Sequence, residues 1–390
     1  MSHLMPTYAP HDVIFTHGVG PRVYDANNKS YFDALTGIAV CGLGHAHPAV
    51  TAAICEQAGK ILHCSNHFKI EQQIQLANRL CELSGMESAF FSNSGAEANE
   101  AAIKLARLYG HKVKDVKNPS IIVTEGAFHG RTMATLTATG NRKIQAGFEP
   151  LLSGFVRAPF NDTEAVRAIG RNNSDIVAIL VEPVQGEGGI VIPDSNYLSQ
   201  LREICDEHGW LLMLDEIQTG NARTGAYFAY QLENCLPDVV TTAKGLGNGM
   251  PIGCCLAQGV AAEVLQPGSH GSTFGGNPLA TATALAVVNT IDGDKIAERA
   301  SELSSRISSG LQPLVASGHI KDLRCKGMMF GLDLGKPCGE LVARGLDQGL
   351  IINVTADSIV RLLPTLNLSD EDADELIDRV SELIKSFDAS

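Results

Sequence analysis

The stretch VVTTAKGLGNGMPIG, Val239–Gly253, decides the fold and raises a question about one lysine. Its first four residues favour a β-strand, whereas lysine is rarely buried unless something pairs with it. Lys244 follows this strand, and Gly245, Gly247 and Gly249 come at alternate positions after it. These glycines let the backbone bend and approach a bulky group closely. The pattern indicates a functional lysine at a strand end, although a lysine in a surface salt bridge is the simpler alternative.

Other short apolar runs alternate with helical patterns along the middle of the chain, namely SAFFSNSG, SIIVTEG, DIVAILVEPV, LLMLDE and DVVTTAK. Continuously apolar strands that alternate with helices predict crossover connections and a largely parallel sheet covered on both faces. AEANEAAIKLARLYG predicts a helix over Ala96–Gly110 that ends at Gly110. DSNYLSQLREICDEHG predicts another, capped by Asp194 and ended by Gly209. The sequence thus predicts an α/β fold.

The two ends of the chain differ from the middle. Residues 1–40 contain GVGPRVYDANNKSYFDA, which predicts a short hairpin with a turn at Asn27-Asn28. A long helical stretch follows Asn277. The final segment, SDEDADELIDRVSELIKSF, has one apolar stripe formed by Leu376, Val380, Leu383 and Phe387. We predict a large domain over residues 41–277 and a small α/β domain built from residues 1–40 and 278–390.

Composition excludes several classes of protein. The 30 basic and 43 acidic residues give a net charge of −13, which argues against a general nucleic-acid binder. The ten cysteines include no C-x-x-C pair, so we expect reduced, buried thiols and no disulfide framework or metal site. The first residues lack the pattern of a signal peptide, and no apolar stretch reaches the roughly 20 residues of a membrane span. We therefore expect a soluble, cytoplasmic protein without a membrane partner.

Polar side chains stand where the predicted strands end, and in an open α/β sheet ligands bind beyond these carboxyl ends. A buried lysine such as Lys244 loses its proton easily and becomes a nucleophile for carbonyl carbon. Asp215, after LLML, is costly to bury without a cation, and a pyridinium nitrogen would be one. Its alternative role is to cap the next turn. The Ser94-Gly95 turn enters a helix, where free N–H groups could bind a phosphate or could simply be capped.

An aldehyde, a pyridine nitrogen and a phosphate together describe pyridoxal 5′-phosphate. G-L-G-N-G lacks the G-x-G-x-x-G spacing, so a nicotinamide dehydrogenase is a poor alternative. The segments LVEPVQGEGG, LLMLDEIQTGNARTG, TTAKGLGNGMPIG and HGSTFGGNPLA resemble the signature blocks of the class III (ω-) aminotransferases. The resemblance extends from GLGHAHP to RLLPTL, and it implies the fold type I of these enzymes, with a large mainly parallel-sheet domain and a small one.

The resemblance also implies roles for matching residues. Lys244 matches the lysine that bonds to the cofactor and later moves the proton, and Asp215 matches the partner of the pyridine nitrogen. The other implied cofactor contacts are Ser94, Gly95 and Ala96 at the phosphate, Phe128 on the ring face and Gln218 near the phenolic oxygen. Thr273 resembles a threonine that reaches the phosphate in the partner subunit, which implies a homodimer with active sites at the interface.

The same resemblance assigns the substrate contacts. Arg131 resembles the arginine that binds the distal carboxylate of an ω-amino donor, and Arg361 the one that binds the α-carboxylate of glutamate or 2-oxoglutarate. An arginine fork matches a carboxylate bidentately. Glu187 resembles the residue that pairs with this second arginine while the donor is bound. One site could thus accept both substrates in turn.

Within the family, LTGIAVCGLGHAHP and HCSNHFKIEQQIQLANRL look most like the acetylornithine aminotransferases, whose substrate pocket matches Ser65-Asn66 and Ser272. The implied reaction transfers the δ-amino group of N-acetylornithine to 2-oxoglutarate, giving N-acetylglutamate 5-semialdehyde and glutamate. Succinylornithine, ornithine and 4-aminobutyrate remain alternative donors. A non-catalytic binder of the cofactor is the alternative from another class of protein.

Overall fold

The computed structural model describes residues 3–233 and 235–388. The strands are β1 (Phe15–Val19), β2 (Arg22–Asp25), β3 (Ser30–Asp33), β4 (Ser88–Ser92), β5 (Ser120–Thr124), β6 (Phe155–Ala158), β7 (Ile176–Val181), β8 (Leu211–Asp215), β9 (Val239–Thr242), β10 (Gly253–Ala257), β11 (Asp322–Lys326), β12 (Met329–Asp333), β13 (Leu350–Ile351), β14 (Asn353–Thr355) and β15 (Ile359–Leu362). The helices are α1 (Thr36–Ala39), α2 (Pro48–Ala58), α3 (Glu71–Ser84), α4 (Gly95–Lys112), α5 (Met133–Ala138), α6 (Arg142–Gln145), α7 (Thr163–Asn172), α8 (Tyr197–His208), α9 (Pro278–Gly293), α10 (Ile296–Ala316), α11 (Leu341–Asp347) and α12 (Asp370–Asp388).

The largest sheet has seven strands in the order β4-β10-β9-β8-β7-β5-β6. Neighbours among β5 to β9 pair in parallel, and every residue of β7, β8 and β9 is buried. This confirms the prediction of a largely parallel, covered sheet. The antiparallel strand β10, which follows the glycine-rich turn, was not predicted. Because β10 is antiparallel to both β4 and β9, the carboxyl ends of β4, β5, β7, β8 and β9 meet at one edge.

Two predicted helix limits are wrong. Helix α4 continues past Gly110 to Lys112. A β-carbon at Gly110 would lie 2.6 Å from the Pro119 side chain, so this glycine serves close packing and does not end the helix. The N-cap position of helix α8 is Asn196 and not Asp194, and the Asn196 side chain forms no capping hydrogen bond. Its predicted end is confirmed, since Gly209 follows it with a φ of +64°.

One of the two smaller sheets joins the two ends of the chain. The order β1-β2-β3-β13 includes the predicted hairpin, whose turn residue Asn28 has a φ of +60°, and β13 pairs in parallel with β3. The second small sheet has the order β11-β12-β15-β14. The predicted stripe of α12 is confirmed at Leu376, Val380 and Leu383, which are at most 1% exposed. The domain limits at residues 40/41 and 277/278 stay a prediction.

Several features outside the large sheet bear on the sequence expectations. All ten cysteines are free thiols. In the part of the chain that the structure describes, no group of three His, Cys, Asp or Glu side chains is arranged for a metal ion. Nor does a helix there have both the length and the apolar character that crossing a membrane would require. Of the histidines, His45 instead bonds to a carboxylate, with its Nε2 atom 2.8 Å from Asp33 Oδ2.

Candidate active site

A cavity of about 470 Å³ lies at the edge where the five carboxyl ends meet. The structure brings together in its lining these residues predicted from the sequence: Ser94, Gly95, Ala96, Phe128, Arg131, Asp215, Gln218 and Lys244. Each of the five strands except β7 contributes at least one of them, and Glu182 lines the cavity after β7. We call this the inner cavity.

Lys244 is half-buried and begins a single helical turn directly after β9. Its φ of +46° lies in the left-handed region, which is unfavourable for a residue with a β-carbon. Burial and, to a smaller extent, the nearby Arg361 lower the pKa of Lys244 to about 8, against the opposite effect of the surrounding carboxylates. Roughly a tenth of the amine is therefore neutral at pH 7, far more than for an ordinary lysine.

Asp215 is held by donors on both oxygens and is only 4% exposed. Oδ2 accepts hydrogen bonds from Asn99 Nδ2 at 2.7 Å and from His129 Nδ1 at 2.8 Å. Oδ1 accepts one from the backbone N–H of Ile217 at 3.1 Å, so the residue also caps the next turn. The hydroxyl of Thr241 donates to Asn99 Oδ1 at 2.7 Å and fixes the orientation of that amide. Three donors stabilise the charged carboxylate at the cavity wall.

The sequence reading missed Asn99 and His129. One signal was available for Asn99, because it is the buried polar residue on a face of α4 made of Ala98, Ala101 and Ala102. A polar side chain on such a face requires hydrogen-bonding partners. No comparable signal identified His129, since only the folded chain brings its ring to Asp215.

The first turn of α4 forms an anion seat. Ser94 caps the helix, and its hydroxyl oxygen accepts a hydrogen bond from the N–H of Glu97 at 3.2 Å. The N–H groups of Gly95 and Ala96 precede it in the first turn, where helix geometry provides no intrahelical acceptor. A β-carbon at Gly95 would lie 2.7 Å from Ile217 Cδ1, so this close approach requires glycine. Free N–H groups and the helix dipole favour a phosphate here.

Arg361 and Glu187 form an ion pair beside the inner cavity, whose lining includes neither of them. The Nη1 atom of Arg361 is 2.6 Å from Glu187 Oε1, and Nε donates to Asn353 Oδ1 at 2.8 Å. Arg361 is fully buried, and its Nη2 atom has no hydrogen-bond partner among the described residues. The Gln218 Oε1 atom is 3.5 Å from Nη1. A buried guanidinium with an unfilled donor is suited to accept a carboxylate from a ligand.

Glu182 anchors two loops of the site with one buried carboxyl. Oε1 accepts a hydrogen bond from the N–H of Phe128 at 2.9 Å, and Oε2 accepts one from the N–H of Gly186 at 3.2 Å. Phe128 belongs to the loop that also carries Arg131, and Gly186 immediately precedes Glu187. Burial raises the pKa of Glu182 to about 7, with the charge of Asp215 as a further cause.

Ser272 and Thr273 lie elsewhere, as do Ser65 and Asn66. They line a separate cavity of about 900 Å³ that shares no lining residue with the inner cavity. One hydrogen bond connects the two regions, since Asn93 Nδ2 donates to Ser272 Oγ at 3.2 Å. The structure of one chain thus does not bring Thr273 to Lys244. Its predicted contact with the cofactor of a partner subunit stays a prediction.

The residues of the inner cavity fit pyridoxal 5′-phosphate. Lys244 supplies an amine with a lowered pKa, Asp215 a buried carboxylate and the first turn of α4 an anion seat. Phe128 is an aromatic wall whose ring centroid is 5.9 Å from the Arg131 guanidinium. The comparisons with known proteins agree: the sequence model of the class-III aminotransferases matches residues 5–384.

The chain belongs to the class-III aminotransferase family. It is a pyridoxal-phosphate-dependent aminotransferase with an α/β fold. It is 53% identical to the acetylornithine aminotransferase of Nitrosomonas europaea over 99% of this chain and 98% of that protein. The N-acetylornithine aminotransferase structure from Stenotrophomonas maltophilia has a TM-score of 0.86 at 36% identity and covers 97% of both chains. The ornithine aminotransferase structure from Toxoplasma gondii has a TM-score of 0.95 at 30% identity, covering 99% of this chain and 93% of that one.

Proposed function

We propose that this aminotransferase moves the δ-amino group of N-acetyl-L-ornithine to 2-oxoglutarate in arginine biosynthesis. The products are N-acetyl-L-glutamate 5-semialdehyde and L-glutamate. The observation that carries the proposal is the 53% identity to an acetylornithine aminotransferase over 99% of the chain. The paired Arg361 and Glu187 agree with it, because a donor and an acceptor with different carboxylates must use the same cavity in turn.

Specific residues would hold the cofactor in the inner cavity. The N–H groups of Gly95 and Ala96, with Ser94 beside them, bind the phosphate, and Asp215 pairs with the pyridine nitrogen. Phe128 would contact the ring of the cofactor and Gln218 its phenolic oxygen, since both side chains line the same cavity. When bound, pyridoxal phosphate supplies an aldehyde that bonds to amines and a ring that withdraws electrons from the neighbouring carbon.

Lys244 has two tasks in this proposal. Its amine, which the lowered pKa makes partly neutral at neutral pH, would be the group that holds the aldehyde of the cofactor. With the donor bound, the same amine would move the proton away from the donor carbon and return it at the neighbouring position. Its location after β9 places Lys244 in the wall of the inner cavity, where the cofactor would bind.

Two arginines would bind the carboxylates of the two substrates. Arg131 binds the carboxylate of N-acetylornithine at the cavity border, and Glu187 neutralises Arg361 while this donor is bound. When 2-oxoglutarate enters, its α-carboxylate takes the place of Glu187 on Arg361, whose Nη2 donor is still unfilled. Each arginine then pairs with one carboxylate of the dicarboxylate.

The proposal includes a homodimer in the cytoplasm. Ser272 and Thr273 line the separate cavity of about 900 Å³, and we propose that they complete the cofactor site of a partner subunit. Phe274, the next residue, is 61% exposed, as expected of a side chain that a partner covers. The ten free thiols suit a reducing compartment.

A donor panel tests the proposed function. The purified enzyme is given 2-oxoglutarate with N-acetylornithine, N-succinylornithine, ornithine or 4-aminobutyrate, and glutamate formation is measured. We expect kcat/KM to be highest for N-acetylornithine, by about tenfold or more over ornithine. Equal use of ornithine would favour the second candidate, an ornithine aminotransferase, which the similarity to the Toxoplasma gondii structure supports. An unchanged absorption spectrum with every amine would indicate a non-catalytic binder.

Replacing Glu187 by glutamine should separate the two substrates. The substitution removes the partner that neutralises Arg361, so the donor must share the cavity with an uncompensated buried cation. We expect kcat/KM for N-acetylornithine to fall about tenfold, whereas the KM for 2-oxoglutarate falls because no carboxylate has to be displaced. Steady-state kinetics with each substrate varied measures both effects.

The matched control for this prediction is Glu207→Gln, which removes a surface ion pair with Arg167. It should leave both kinetic constants close to those of the unchanged enzyme. If Glu187→Gln changed the kinetic constants equally for both substrates, the result would argue against a role of Glu187 in switching between them.

A further inference from the structure

A third cavity, distinct from the one lined by Ser272 and Thr273, adjoins the inner cavity. It has a volume of about 390 Å³ and lies between α6 and the turn that joins β14 to β15. Phe128 and Arg131 line both cavities, whereas Arg142, Lys143 and Glu187 line only this one. We call it the outer cavity.

The lining of the outer cavity is positively charged. Arg131, Arg142 and Lys143 are exposed there, and among the described residues neither arginine forms an ion pair. Lys143 has a distant partner, with Nζ 4.0 Å from Asp357 Oδ2, and both side chains are more than 80% exposed. Such a pair contributes little in water.

The lining includes one carboxylate, and that one is already neutralised. Glu187 is the acidic residue among the described residues of the outer cavity, and its Oε1 atom is 2.6 Å from Arg361 Nη1. The outer cavity is therefore a cationic region on a chain whose net charge is −13. A local field of this kind selects among ligands by their charge.

The donor's blocked nitrogen must lie next to this region if the proposed function holds. The reacting δ-amino group is at Lys244, so the other end of the donor extends toward Arg131. The α-carboxylate and the α-nitrogen are bonded to the same carbon. Because Arg131 lies at the border of the two cavities, a carboxylate bound to it places the α-nitrogen at the outer cavity. In N-acetylornithine this nitrogen is a neutral amide, and in ornithine it is an ammonium.

We propose that Arg142 and Lys143, together with Arg131, act as a charge filter that rejects ornithine and admits its acylated form. The cations repel an ammonium group at the α-position, whereas they leave an amide unaffected and attract the carboxylate beside it. Discrimination against the wrong ligand by like charge needs no close contact with the acetyl group. The residues of α6 thus determine which donor is used, and they do so without taking part in the chemistry.

The test is the ratio of kcat/KM for N-acetylornithine to kcat/KM for ornithine. The variants are Arg142→Gln, Lys143→Gln, the double variant and the charge reversal Arg142→Glu. We expect each neutralisation to lower the ratio roughly threefold to fivefold, the double variant on the order of tenfold, and the reversal more than Arg142→Gln. The ratio should fall because only ornithine is relieved of the repulsion on its α-ammonium group, whereas the weaker attraction on the carboxylate affects both donors. N-acetylornithine should lose up to about threefold, because the attraction on its carboxylate also weakens.

A control variant and a salt series test whether the change in the ratio comes from the charges of the outer cavity. Arg171→Gln removes an exposed arginine at the end of α7, which lines neither cavity, and should not change the ratio. Raising NaCl from about 0.05 M to about 0.5 M should lower the ratio in the unchanged enzyme and have less effect in the double variant, since screening and neutralisation act on the same charges. The cofactor's visible absorbance and the Tm verify that each variant is folded and loaded.

The possible outcomes distinguish a failure of the charge filter from a failure of the proposed function. If the unchanged enzyme prefers N-acetylornithine and the variants retain the full preference, or lose both donors equally, the filter is wrong and the proposed function stands. If the unchanged enzyme uses no acylated ornithine, both are wrong. A fall of this ratio in the Arg142 and Lys143 variants but not in Arg171→Gln supports the filter.

Discussion

Replacing Lys244 by alanine is expected to lower kcat by on the order of 10⁴-fold or more, because both the proton carrier and the covalent anchor of the cofactor are lost. Binding of pyridoxal phosphate should persist but become reversible, since the anion seat of α4 and Asp215 are unchanged. Turnover with N-acetylornithine measures the first effect. Loss of the cofactor on dialysis, followed by its absorbance, measures the second.

The same lysine gives a pH dependence whose sign follows from its lowered pKa. The amine of Lys244 titrates near pH 8 in the folded protein, and only its neutral form attacks the aldehyde. The rate at which the apoprotein bonds to pyridoxal phosphate should therefore rise with pH below about 8 and level off above it. A rate that still rises steeply at pH 10 would contradict the lowered pKa.

A matched control for the alanine variant is Lys112→Ala. Lys112 is exposed at the far end of α4 from the anion seat. Its removal should leave kcat and cofactor retention unchanged. If Lys244→Ala keeps more than about a hundredth of the activity, Lys244 does not carry the proton in the way proposed here.

Replacing Asp215 by asparagine is expected to lower kcat by on the order of 10³-fold. Asparagine keeps the volume and one oxygen acceptor for Asn99 and His129, so the wall of the cavity should stay in place. What it removes is the negative charge that pairs with the pyridine nitrogen and keeps the ring electron-withdrawing. Steady-state turnover measures the loss, and the apparent Kd of the apoprotein for pyridoxal phosphate should increase as well.

Two comparisons make the result for Asp215 specific. Asp215→Glu keeps the charge and should recover part of the lost activity, although its longer side chain disturbs the bonds to Asn99 and His129. Asp206→Asn changes a carboxylate that is 67% exposed and should have no effect. Activity within tenfold of the unchanged enzyme for Asp215→Asn would contradict the proposed ion pair.

The sequence predicted those parts of the site that depend on a strand and its end. Lys244 and Asp215 each follow a continuously apolar run, and such runs form the covered parallel strands β9 and β8. Since parallel strands end at one edge, the position of these two side chains at strand ends predicted that they lie near the Ser94-Gly95 turn. The resemblance to the class III enzymes then added Arg361 and Glu187, which are 174 residues apart and form an ion pair in the fold.

What the sequence did not predict depends on contacts between distant segments. Strand β10 is antiparallel, and a short apolar run carries no information about the direction of its pairing. Gly110 looked like the end of a helix because the close approach of Pro119 and Val177 is visible only after folding. The contact of His129 with Asp215 was not predicted for the same reason, since the two residues are 86 positions apart.

Glu182 sets a condition for re-engineering this enzyme. Its single carboxyl hydrogen-bonds both to the segment before Arg131 and to the segment before Glu187. Arg131 and Glu187 are two of the residues proposed to distinguish the substrates. If only one of the two segments is replaced by that of a homologue, the Glu182 carboxyl must hydrogen-bond to one native and one foreign segment. Chimeras should therefore exchange both segments together with β7 as one block, and libraries should leave Glu182 invariant.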